Sequence, residues 1–183
     1  PSSLTTALGT ALSRVQTGSN DGTLAWTFTL ANNLVQYLGA GESITANYVL
    51  TVSDDSGTTT STATQSIVVT IDGTNDRPVI GTTGLSGTVV EDGSTPNLST
   101  GGSITFSETD DTDLISSSVA LGTVSTTGPD IPSSLTTALG TALARVQTGS
   151  NDGTLTWTFT LANSLVQYLG AGESITANYV LTV

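Results

Sequence analysis

The chain has 183 residues and a formal net charge of −12, from fifteen carboxylates against three arginines, with no lysine, histidine, cysteine or methionine. That balance excludes a phosphate-neutralising nucleic-acid surface, disulfide and thiol chemistry, imidazole general bases and the usual zinc or copper ligands. It leaves the carboxylates to be balanced by solvent or by a hard cation, which favours an environment rich in divalent ions outside the cell.

In chain order, Leu4, Ala7, Leu8, Ala11, Leu12 and Val15 follow the i, i+3, i+4 spacing of a short amphipathic helix, with Pro1-Ser2-Ser3 as its N-terminal cap region. Asn20-Asp21-Gly22-Thr23 makes a turn. Leu24, Trp26, Phe28 and Leu30 then alternate with Thr27 and Thr29 as a half-buried strand requires, and Trp26 is expected to anchor the core. One or two helical turns are expected over Asn32 to Leu38, ended by Gly39-Ala40-Gly41. A hairpin follows: a strand from Ser43 to Ser53 with Ile44, Ala46, Tyr48, Leu50 and Val52 inward, a turn at Asp54-Asp55-Ser56-Gly57, and a return from Thr62 to Ile71.

Asp72-Gly73-Thr74-Asn75-Asp76-Arg77-Pro78 reads as a junction between modules. Gly73 permits unusual backbone angles, Asn and Asp favour turns, and Pro78 stiffens the exit. Asp72, Asn75 and Asp76 also form a compact oxygen donor set suited to Ca²⁺. Beyond it, Val79 and Ile80 open a new run, with strands expected near Leu85 to Val90, Ser103 to Ser107 and Ser117 to Ser125.

The sequence then repeats itself. Residues 1–52 recur as 132–183, and only Ser13/Ala144, Ala25/Thr156 and Asn33/Ser164 differ. One period holds about six strands rich in Thr, Ser and Val, which predicts an all-β chain of tandem antiparallel β-sandwich modules with one or two short helices per module. On this reading 1–75 is the C-terminal part of one repeat without its opening strands, 72–78 is an acidic linker, and 79–183 is the next repeat without its final strand. No run of about 18 apolar residues is present, and the N-terminus has no basic, apolar leader, so a soluble piece of a larger protein is expected. Each half would expose a sheet edge, from which we expect head-to-tail association of copies by strand complementation.

Eight of the fifteen acids lie between Asp72 and Asp113: Asp72, Asp76, Glu91, Asp92, Glu108, Asp110, Asp111 and Asp113, offset only by Arg77. Drawing these loops together without a cation would set carboxylates against one another, so the cluster predicts a metal. The competing reading is that Asp and Asn make turns and keep a β protein soluble. For Asp21 and Asp152, in Asn-Asp-Gly turns, the turn is the expected role.

Asp21-Gly22-Thr23-Leu24 with Trp26-Thr27-Phe28, Val35-Gln36-Tyr37-Leu38-Gly39-Ala40-Gly41-Glu42, Tyr48-Val49-Leu50-Thr51-Val52-Ser53-Asp54-Asp55 and Gly73-Thr74-Asn75-Asp76-Arg77-Pro78 together resemble the VCBS repeat of giant RTX adhesins, exported by bacteria through type I secretion. The resemblance covers most of one period. It implies an Ig-like or cadherin-like sandwich, dependence on Ca²⁺, an extracellular or cell-surface location, and an extender or adhesive role in attachment and biofilm. A looser similarity to cadherin junctions implies a ligand set of Asp72, Asn75 and Asp76 from the linker, Glu42 from the module before, and Glu91 with Glu108 and Asp110 from the module after. Glu108 stands where cadherins have aspartate, and Asp111 or Asp113 could substitute for it. Asp54 or Asp55 would serve the preceding junction.

An enzyme is not expected: no His or Lys is present to activate a serine, and no pair of carboxylates is singled out as flanking a cleft. The expected partners are neighbouring repeats and other copies of the chain, with no nucleic acid and no membrane span. The alternatives to an extender are a repeat that itself binds glycan or another adhesin copy, and a matrix or filament protein assembled by strand complementation.

Overall fold

Helix α1 spans Ser2–Ala11 and buries Leu4 and Ala11. It is shorter than its apolar spacing suggests. Leu12 and Val15 belong instead to strand β1 (Leu12–Thr17), which pairs antiparallel with β2 (Thr23–Phe28), Leu12 opposite Phe28 and Thr17 opposite Thr23. Cross-strand pairing outweighs the helical periodicity, as long-range partners commonly do for a run holding a β-branched residue. Strands β3 (Ser43–Ser53) and β4 (Thr62–Asp72) form the expected hairpin, with Ser43 opposite Asp72 and Ser53 opposite Thr62. Val52, expected inside, is 46% exposed; it lies beside the turn that joins the two strands, next to the last pair Ser53 and Thr62.

The computed structural model describes residues 2–183, and it divides into two units. Unit 1 is the chain up to Asp76 together with Thr109–Thr112; unit 2 is Arg77–Glu108 with Asp113–Val183. The chain therefore passes between units at Asp76/Arg77, Glu108/Thr109 and Thr112/Asp113. In unit 1 the Tyr48 hydroxyl donates to the Leu8 carbonyl at 2.8 Å, and its ring meets Phe28 edge-on at 6.3 Å, which ties the helix end to both hairpins. Trp26, expected to anchor the core, is 47% exposed, and among the described residues no strand pairs with the second edge of β2.

Unit 2 contains β5 (Val79–Ile80), β6 (Asn97–Ser107), β7 (Ser118–Thr126), α2 (Ser133–Ala142), β8 (Leu143–Thr148), β9 (Gly153–Ala162) and β10 (Ile175–Thr182). One sheet runs β5-β6-β9-β8 and the other pairs β7 with β10, all antiparallel. Leu98 and Leu161 from the larger sheet pack with Leu135, Leu139 and Ala142 of α2 and with Leu121, Val124, Ile175 and Ala177 of the smaller one. A second cluster holds Ile104, Phe106 and Leu155. The result is a β-sandwich-like arrangement with α2 as a wedge, and neither helix is long or apolar enough to cross a membrane. Leu85 to Val90, expected as a strand, has no ladder partner among the described residues and is not one.

Trp157 sits where Trp26 was expected to sit. Its indole N–H donates to the Gly84 carbonyl at 2.7 Å, and a Cβ on Gly102 would lie 2.8 Å from the same nitrogen, so glycine there makes room for the ring.

Candidate metal centre

The candidate site is built within unit 1 on the Gly39-Ala40-Gly41-Glu42 turn. Glu42 folds back so that its Oε2 accepts the Gly39 N–H at 2.9 Å, and Glu173 repeats this with Gly170 at 2.6 Å. The motif is therefore a local device that any copy of the sequence forms. Asp72 ends β4 and is exposed. Just beyond it, the Gly73 N–H donates to the Glu42 carbonyl at 2.8 Å. A Cβ on Gly73 would meet the Gly39 and Leu38 carbonyl oxygens at 2.4 and 2.5 Å. Glycine is thus required for close approach, and not for the unusual backbone angles expected of it, since its φ is not positive.

Thr109–Thr112 completes the site. The Asp111 N–H donates to the Tyr37 carbonyl at 3.1 Å, the Thr112 hydroxyl donates to Glu42 Oε1 at 2.9 Å, and the Asp76 N–H donates to Asp110 Oδ2 at 2.8 Å. Asp110 is 0% exposed, and a Cβ on Gly39 would lie 3.5 Å from its side chain. Burial of a carboxylate is costly unless hydrogen bonds or positive charge compensate it. Glu42, Asp76, Asp110 and Asp111 are therefore brought into one neighbourhood, while Asn75 is exposed and turns its amide back onto the Asp76 carbonyl.

The remaining acids named from sequence lie elsewhere. Glu108 and Asp113 belong to unit 2, where the Glu108 N–H donates to Asp152 Oδ1 at 3.1 Å and the Asp113 carbonyl accepts Asn151 at 3.2 Å. Glu91 accepts the Gln167 amide at 2.9 Å. Asp54 and Asp55 sit at the far end of the β3–β4 hairpin from Asp72, roughly 30 Å away at about 3.4 Å per residue. The Ser56 hydroxyl and N–H hold Asp54 below the usual carboxylate range. Asp92 accepts the Thr95 hydroxyl and the Thr95 and Ser94 N–H groups, which hold its pKa at about 2.

Among the described residues no three acidic side chains stand at metal-ligand spacing. Donor chemistry and the burial of Asp110 fit a hard cation, but the acids alone do not close a shell around one. A Ca²⁺ ion, which takes about six to eight oxygens, would need backbone carbonyls, water and the Asp76 side chain beside Glu42 and Asp110.

Sequence reasoning missed the Asn163–Gln167 clamp. Asn163 is 4% exposed and donates to the Asp92 and Thr95 carbonyls at 2.6 and 2.7 Å, and Gln167 donates to the Asp92 carbonyl at 2.7 Å. The only signal was two amide side chains spaced i, i+4 around Leu165 and Val166. No family model matches the chain, and no curated protein is similar to it at a significant level.

Proposed function

We propose that this chain is a non-enzymatic repeat segment of a large bacterial surface adhesin, of the Ig-like or cadherin-like tandem kind that the VCBS resemblance implies, and that Ca²⁺ stiffens it as an extender in attachment and biofilm. The observation that carries the reading is Asp110: a wholly buried carboxylate, placed beside Glu42 and the Asp76 main chain by a four-residue segment, Thr109–Thr112, whose chain neighbours on both sides belong to unit 2. An ion held by Glu42 and Asp110 with backbone carbonyls and water, and drawing in the Asp76 side chain, would pin that segment in unit 1 and so restrain the chain where it leaves and enters that unit. The repeat of residues 1–52 as 132–183 supports an array, and the excess of acids over arginines supports a setting where divalent cations are abundant. Extracellular sites of this type bind at about 10⁻⁴–10⁻³ M, so such a segment would stay loose in cytoplasm and stiffen after export.

A calcium titration of thermal melting, with Mg²⁺ as control, tests this. At a hundredfold excess over Kd, binding stabilises by about 2.7 kcal/mol, and Tm should rise by roughly 5–10 °C for a chain of this size. Asp110→Asn and Glu42→Gln should each remove most of the rise, and Asp54→Asn should leave it intact. A melting curve identical in Ca²⁺ and in EDTA would sink the reading and leave the acids as turn formers and solvated charge.

A further inference from the structure

The Asn20-Asp21-Gly22 and Asn151-Asp152-Gly153 turns are built alike. Gly18 and Gly149 open them at φ of 85° and 88°, and a Cβ on Gly22 or on Gly153 would run into the Thr17 or the Thr148 carbonyl. In the first turn Asn20 and Asp21 are exposed, so the backbone forms without help from their side chains. In the second turn those side chains grip another part of the chain. Asp152 Oδ1 accepts the Glu108 N–H at 3.1 Å, and the Asn151 amide donates to the Asp113 carbonyl at 3.2 Å. Beside them the Ile115 N–H donates to the Ser150 carbonyl at 2.6 Å, and the Gln147 amide donates to the Ile115 carbonyl at 2.8 Å.

Glu108 and Asp113 are the residues immediately before and after Thr109–Thr112, the segment that belongs to unit 1. Two adjacent side chains of unit 2 therefore hold both ends of that segment and close it into a four-residue loop. Closing and ordering a loop costs conformational entropy, and a neck that is already bonded removes part of that cost from the step that orders the tip. The tip is the part that engages unit 1, through the Asp111 N–H on the Tyr37 carbonyl, the Thr112 hydroxyl on Glu42 and the Asp76 N–H on Asp110. Single peptide links, Glu108/Thr109 and Thr112/Asp113, join neck to tip.

We infer that the Asn151-Asp152 pair is a positioning device for the candidate metal centre, holding the neck of the Thr109–Thr112 loop so that Asp110 and Thr112 are presented to Glu42. Both residues act through the loop and neither is a ligand. The inference deepens the calcium reading and rests on it for ion affinity, but the ordering of the loop tip requires no ion.

Amide exchange of the full chain, followed by NMR, reads the tip directly. In EDTA, Asp152→Ala and Asn151→Ala should each speed exchange of the Asp76 and Asp111 amides about tenfold, the equivalent of one hydrogen bond lost. The Gly73 amide, which donates to the Glu42 carbonyl away from the loop, should keep its wild-type rate. Calorimetric Ca²⁺ affinity should weaken by about the same factor. Asp152→Asn keeps an acceptor oxygen and carries the same charge as the alanine variant, so it should hold exchange and affinity near wild type. Asp21→Ala makes the same change in the matching turn of unit 1 and should alter neither. Wild-type exchange at Asp76 and Asp111 in both alanine variants would overturn the positioning role, whatever Ca²⁺ does. Equal losses in D152A and D152N, or in D152A and D21A, would overturn it in favour of net charge. Tip exchange that responds as expected in a chain whose melting ignores Ca²⁺ would uphold the neck and sink the calcium reading alone.

Discussion

Residues 1–52 and 132–183 differ at three positions, yet they do not bury the same side chains. Leu155 is 1% exposed and its counterpart Leu24 only half-buried; Trp157 is packed and hydrogen-bonded, while Trp26 is 47% exposed. Strand β9 has ten residues and β2 six, because β9 is paired on both edges, by β6 and β8, and β2 on one. The difference reverses at the other end of the repeat. Leu38 and Gly39 are buried, whereas Leu169 is half-buried and Gly170 exposed, since only the first copy has Gly73 and Asp110 packed on that turn. What the copies share lies within the repeated sequence: the helix, the Glu-on-Gly turn, and the Tyr48 and Tyr179 hydroxyls bonded at 2.8 Å to the helix carbonyls of Leu8 and Leu139. The repeated sequence sets those devices, and whatever covers them sets the burial.

The largest expected test of that division is Leu155→Ala against Leu24→Ala. Each unit has one tryptophan, so W26F and W157F backgrounds let fluorescence report unit 2 and unit 1 separately. Removing a wholly buried leucine leaves a cavity and should cost unit 2 about 3–4 kcal/mol, against about 1 kcal/mol for the half-buried Leu24 in unit 1. Equal costs in denaturant melts would mean that the covering strands contribute nothing to the difference.

Asn163→Ala against Asn32→Ala sharpens the comparison with polar groups. Asn163 is buried and satisfies two carbonyls, so its loss should cost about 1–3 kcal/mol. Asn32 is exposed, and its loss should stay within about 0.5 kcal/mol. Smaller still, Trp157→Phe should cost about 1 kcal/mol for the bond to Gly84, and Trp26→Phe close to nothing. Iodide should quench Trp26 in the W157F variant more strongly than Trp157 in the W26F variant.

Much of this architecture is legible from sequence because it rests on neighbours a few residues apart. The Ser43–Ser53 and Thr62–Asp72 hairpin follows from alternation and its Asp-Asp-Ser-Gly turn, and the helix start follows from its apolar spacing. The rest depends on partners far along the chain. Trp26 and Trp157 have the same flanking pattern, and nothing in those flanks says that one will lie against Gly84 and the other largely in solvent. The acids of the candidate site other than Glu42 stand in the run from Asp72 to Asp113, but the division of that run is not legible. Asp110 and Asp111 fall in unit 1 while Glu108 and Asp113, two residues to either side, fall in unit 2, a consequence of where one loop crosses.

The smallest effect concerns the loop that the Asn163–Gln167 clamp holds, and it separates the copies by pH. Asp92 is held at about 2 against an ordinary 3.8 by the Thr95 hydroxyl and the Thr95 and Ser94 N–H groups. A carboxyl whose folded pKa is depressed lends stability that is fully present above its unfolded pKa and is lost as pH falls through the folded value. Acidification from about pH 4 to pH 2 should therefore open the Ser94 and Thr95 amides to exchange, with the Asn163 amide bonds to the Asp92 and Thr95 carbonyls loosening in step. Asp92→Asn should show the open pattern already at neutral pH, because an amide accepts fewer of these bonds than a carboxylate. Asn32 makes no such grip in the first copy, so its turn should not respond over the same range. A turn at Asn32 that loosened in parallel would trace the acid response to the repeat sequence itself and not to the loop that covers its second copy.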